Sequence, residues 1–162
     1  NTPDMMATSM VGNYACADMF QNCTNLVTAF TTLPIISLKE GAYDGMFDGC
    51  TNLTNAPFLP ANNIPSNGYR NMFKNCSSLN HIECLATNIG DDNRTLNWVQ
   101  GVAENGTFVK ATTADWSGKS EGSGIPNGWT VEEREPLMNL FIEEEEPDEY
   151  NDEGDDENDE LT

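Results

Sequence analysis

The chain has 162 residues, 38% hydrophobic and 21% charged, which is enough for one domain with its own core. Its formal charge of −20 is uneven: residues 1–131 hold 11 acidic and 6 basic side chains, residues 132–162 hold 16 acidic side chains and one Arg. No basic face is available to displace counterions from nucleic-acid phosphates or to bind an anionic membrane, and no run of about 18 apolar residues would span a bilayer.

Residues 1–10 lack a basic and apolar signal pattern and align without a gap on residues 55–64. The chain is therefore expected to begin inside a repeat, with more repeats and any signal or anchor upstream. Residues 19–26, 46–53 and 72–79 share the pattern M-F-x-[NG]-C-[TS]-[NS]-L at periods of 27 and 26 residues. Trp98-Val99-Gln100-Gly101-Val102 continues the frame in degenerate form. Apolar columns recur with it, among them Ala29, Ala56, Ile82 and Phe108. One unit is too small to bury its own apolar face, so stacked neighbours must supply the core. A period near 26 lies in the leucine-rich-repeat range.

The expected fold is an α/β solenoid, leucine-rich-repeat-like, with short parallel strands near 26–30, 53–57, 79–84 and 106–110. One or two helical turns are expected over 43–50 and 69–76, with Met and Phe pointing inward. Phe20, Phe47, Phe73, Leu26, Leu53 and Leu79 are the expected core. Pro34 and Pro57 limit strand length.

Three segments follow in chain order. Residues 1–97 are repeats, the first truncated. Residues 98–131 are the degenerate repeat and a C-terminal cap, where Trp98, Trp116 and Trp129 plug the last rung. Residues 132–162 are an acidic tail. Between 143 and 160, 13 of 18 residues are acidic, so disorder is expected from about 143. The apolar patch at 137–142 is placed against the last rung.

Candidate chemistry is sparse. Cys23, Cys50 and Cys76 share one column and read as a ladder of small buried thiols. Disulfides between adjacent rungs are the alternative. A zinc site lacks both C-x-x-C spacing and a paired histidine, so no metal and no cofactor is expected. His81, the sole histidine, shares a strand face with Glu83, which reads as a solvated surface pair rather than catalysis. The N-x-[ST] sequons at Asn22, Asn52, Asn75, Asn93 and Asn105 read first as turn residues.

The M-F-x-[NG]-C-[TS]-x-L repeat, followed by Cys84-Leu85-Ala86-Thr87, Gly106-Thr107-Phe108-Val109-Lys110 and Gly124-Ile125-Pro126-Asn127-Gly128-Trp129-Thr130-Val131, resembles BspA-like leucine-rich-repeat surface proteins of gut Bacteroidales. The resemblance covers residues 1 to about 132, and the tail departs from it. It implies a right-handed solenoid and an exported role, secreted or at the cell surface.

The function expected is non-enzymatic: an adhesion module, monomeric, binding a protein or glycan through the exposed strand face. Period-two geometry nominates Thr28, Asn55, His81, Glu83 and Thr107 for that face. A phage tail or virion-associated adhesin is one alternative. An accessory region of an enzyme with an upstream catalytic domain is another.

Overall fold

The structure is a computed structural model and describes residues 12–34 and 37–136. The chain winds in coils of about 26 residues that stack in parallel. One side of the stack is a three-stranded parallel sheet, ordered β1 (His81–Cys84), β2 (Thr107–Ala111), β3 (Thr130–Arg134). Earlier coils contribute only isolated parallel bridges on that side, including Thr28 with Asn55 and Asn55 with His81. The segments at 26–30 and 53–57, expected as strands, are thus single bridges. Pro57 has no N–H to give a ladder, and the register offset between bridges changes from Asn55–His81 to Leu59–Cys84, so a residue is spare between them.

The other side consists of consecutive turns. Over 13–22, 40–49 and 66–75, alternate N–H groups do different work. One set bonds three residues back, as Ala17 N–H does to Tyr14 O at 3.1 Å. The other set donates to the next coil: Phe20 to Met46 O, Phe47 to Met72 O and Phe73 to Trp98 O, each at 2.9 Å. The backbone is thereby satisfied within and between coils at once.

This corrects the expected α/β solenoid of leucine-rich-repeat type. Among the described residues there is no α-helix, only a single 3-10 turn at Asp92–Arg94, and the strands form one small three-stranded sheet. The stretches 43–50 and 69–76 are not helical turns. Every fourth residue there has positive φ: Gly41, Gly45 and Gly49, then Asn67, Asn71 and Asn75, between 54° and 78°. In the coil before, Tyr14, Asp18 and Asn22 do the same. A left-handed residue ends a helix, so its recurrence every four residues yields linked turns instead.

One core runs through the stack. Met46, Phe47, Cys50, Leu53, Met72, Phe73, Cys76 and Leu79 are fully buried. Phe20 and Leu26, expected in the core, are only half-buried, and Met19 is 45% exposed. Aromatic rings form two columns, Phe20–Phe47–Phe73 and Tyr43–Tyr69, with centroids 5.6 to 6.0 Å apart. Both columns end on Trp98, which itself stacks on Trp116 at 5.4 Å and 4°. Trp98 Nε1 donates to Gly124 O at 2.9 Å, and Trp129 Nε1 to Ala103 O at 2.7 Å. Trp98 and Trp129 close the C-terminal end with their polar edges satisfied, whereas Trp116 Nε1 is buried without a hydrogen-bond partner among the described residues.

Strand β3 extends to Arg134, so the boundary drawn at residue 131 falls inside it. The truncated first repeat at 1–10, the apolar patch at 137–142 and the acidic run from 143 lie outside the described residues.

Candidate binding face

Parallel pairing of equivalent residues places the same column of every coil in one straight row. On the outer face of the sheet side, Thr28 pairs with Asn55, Asn55 with His81, His81 with Thr107 and Thr107 with Thr130. Neighbours in such a row are about 4.8 Å apart. Thr28, Asn55 and Thr130 are exposed, and His81 and Thr107 half-buried. The inward neighbours Ile82 and Phe108 are fully buried, which locks the alternation that turns His81 and Thr107 outward. Four of the five residues nominated from sequence therefore meet in one row.

The fifth, Glu83, lies two residues along the same face, in register with Val109 and Glu132. It is engaged by Arg134 in an ion pair, so the expected partnership with His81 is not the contact it makes. Arg134 also lays its guanidinium over the Phe58 ring, 5.4 Å from the centroid. One side chain thus ties β3 across β2 to β1 and to the coil before it. Beside it, Lys110 Nζ pairs with Glu133 at 2.9 Å and donates to Ala114 O at 3.1 Å.

Sequence reasoning missed Thr130, Phe58 and Arg134. Thr130 follows Thr107 by 23 residues, three short of the period, so a fixed frame passes over it. Phe58 and Arg134 are 76 residues apart and meet only through stacking.

A polar cleft of about 490 Å³ opens at one corner, lined by Thr87, Asn88, Asp91, Asp92, Asp115 and Lys119 among others. Lys119 Nζ donates to the carbonyls of Gly90 and Asp91, each at 2.8 Å. Burial holds its ammonium below the ordinary lysine value, against the pull of Asp92 and Asp91. Asp115 is held below the usual carboxylate range by hydrogen bonds from Ser117. On the turn side, Arg70 donates from Nε (2.9 Å) to the buried Asp44 carboxylate, which raises the guanidinium further. Among the described residues, no group of three or more His, Cys, Asp or Glu side chains is placed to hold a metal ion. No described helix is long and apolar enough to cross a membrane.

Cys23, Cys50, Cys76 and Cys84 are free thiols, and Cys23 is exposed where the column predicted burial. Burial pushes the Cys50 thiol up to about 11 and the Cys84 thiol to about 12.

No family model matches the chain, and no curated protein and no solved structure does so either.

Proposed function

We propose that this chain is a non-enzymatic recognition module that binds a protein or glycan through the outer face of its parallel ladder. One observation carries the reading. Thr28, Asn55, His81, Thr107 and Thr130 form an unbroken row of hydrogen-bonding side chains on a rigid, in-register backbone. Such a row pays little ordering entropy on binding, because burial of the inward neighbours already holds the backbone. Placement of the module outside the cell, secreted or at a bacterial surface, rests on the resemblance of the M-F-x-[NG]-C repeat.

The test is solid-phase binding against a panel of mucin-type glycans, plant polysaccharides and extracellular-matrix proteins. The double variant His81→Ala/Thr107→Ala should lose at least tenfold in affinity for whichever probe binds, with an unchanged melting midpoint. Gln21→Ala, exposed on the turn side, should bind like the parent. Full binding by the double variant, or loss in Gln21→Ala alone, overturns the reading.

A further inference from the structure

The thiols of Cys23, Cys50 and Cys76 follow one another along the stack, and only the first reaches solvent. Their spacing is set by the turn-side backbone. Asn22 N–H donates to Asp48 O at 2.7 Å, and Asn52 Nδ2 reaches Thr24 O at 2.7 Å, so Cys23 and Cys50 sit opposite each other on adjacent coils. A shared acceptor brings them closer. Phe20 O receives both the Cys23 N–H, at 3.0 Å, and the Cys50 Sγ–H, at 3.1 Å. Cys50 Sγ is therefore held directly beside the Cys23 backbone. The same arrangement recurs one coil on, where Phe47 O receives the Cys50 N–H at 3.0 Å and the Cys76 Sγ–H at 3.0 Å. There, however, both thiols are buried.

We propose that Cys23 and Cys50 form an oxidisable pair whose entry thiol is Cys23, and that its reaction partner is a low-molecular-weight disulfide. In the first step the Cys23 thiolate attacks one sulfur of that disulfide. A Cys23–S–S–R bond forms and RS⁻ leaves. In the second step Cys50, deprotonated on the way, attacks Cys23 Sγ and expels the second RS⁻. The protein loses two electrons and two protons, and the external disulfide is reduced to two thiols. Coil spacing of about 4.8 Å lies within the Cα separation that a disulfide bridges. Cys23 is exposed, and Phe20 and Leu26 of the same coil are only half-buried, so the surroundings of Cys23 are less tightly packed than those of Cys50 and Cys76. Cys50 and Cys76 are both buried and have no solvent access. Closure would staple the coil of Cys23 to the coil of Cys50.

The experiment uses the full chain, reduced, desalted and treated with excess oxidised glutathione at mildly alkaline pH. Intact mass should fall by two hydrogens. Non-reducing tryptic mapping should join the peptide ending at Lys39 to the peptide ending at Arg70, and fragmentation should place the bond on Cys23 and Cys50 rather than Cys16. The melting midpoint should rise on oxidation. Cys23→Ser, an exposed change, should abolish both the bond and the rise. A stable glutathione adduct that never converts overturns the proposal. So do disulfide-linked dimers as the sole product, and so does an internal bond that persists in Cys23→Ser.

Discussion

Phe47→Ala should be among the most damaging single changes in this protein. The ring is fully buried and lies between two others, 5.6 Å from Phe20 at 10° and 5.6 Å from Phe73 at 6°. Removing a buried Phe costs about 3 to 5 kcal/mol, more where the site cannot collapse. Here it cannot collapse easily. Phe47 N–H is bonded to Met72 O, and Met46 O accepts from Phe20 N–H, so the backbone is held from both neighbouring coils. The upper half of that range is expected, against a total stability of about 5 to 15 kcal/mol for a typical domain. Phe20→Ala is the internal comparison. It removes the same ring from the same column, but Phe20 is half-buried, with Phe30 edge-on and Phe47 its one stacked neighbour among the described residues. Its cost should be about half as large. Urea unfolding of both variants, followed by tryptophan fluorescence, measures the difference through the midpoint. Equal losses, or a smaller loss for Phe47, would show that the aromatic column does not couple the coils.

Gly106→Ala should destabilise by about 1 to 3 kcal/mol, because a Cβ there meets Asn80 O at 2.5 Å and the Trp129 ring at 2.7 Å. Gly12→Ala, with open space around it, should leave the melting midpoint unchanged. Arg134→Ala removes an ion pair and a ring contact that are both partly solvated, so the global midpoint should move by less than about 1 kcal/mol. Amide exchange in β3 should nevertheless quicken, and unchanged protection there would refute the clamp. Stability should fall in alkali. The ordinary cysteine value is 9.0, and burial raises Cys50 to about 11 and Cys84 to about 12, so these thiols stay protonated in the fold after they would ionise unfolded. Their contribution is complete below pH 9 and is lost as pH rises through 11 to 12. A melting midpoint that stays flat or climbs between pH 9 and 11 contradicts this.

The repeat frame was legible in the sequence because it is a property of spacing. The recurrence of M-F-x-[NG]-C and of the Ala29, Ala56, Ile82, Phe108 column identifies which residues stand opposite one another, and parallel pairing needs nothing more. Period-two alternation around Ile82 and Phe108 was enough to nominate His81 and Thr107, and the ladder joins them. The local conformation between strands was not legible in the same way. Met and Phe four and three residues ahead of Cys suit a helix as well as they suit linked turns. The deciding residues were present as Gly41, Gly45 and Gly49, and as Asn67, Asn71 and Asn75. Yet glycine and asparagine tolerate positive φ without demanding it. The demand comes from the neighbouring coil, whose carbonyls accept alternate N–H groups and so rule out a helix that would use them internally. Contacts between coils out of frame were equally hidden. Arg134 reaches Glu83 and Phe58 only because the coils stack beside one another. That contact depends on position in the stack, which a motif shared by every unit does not encode.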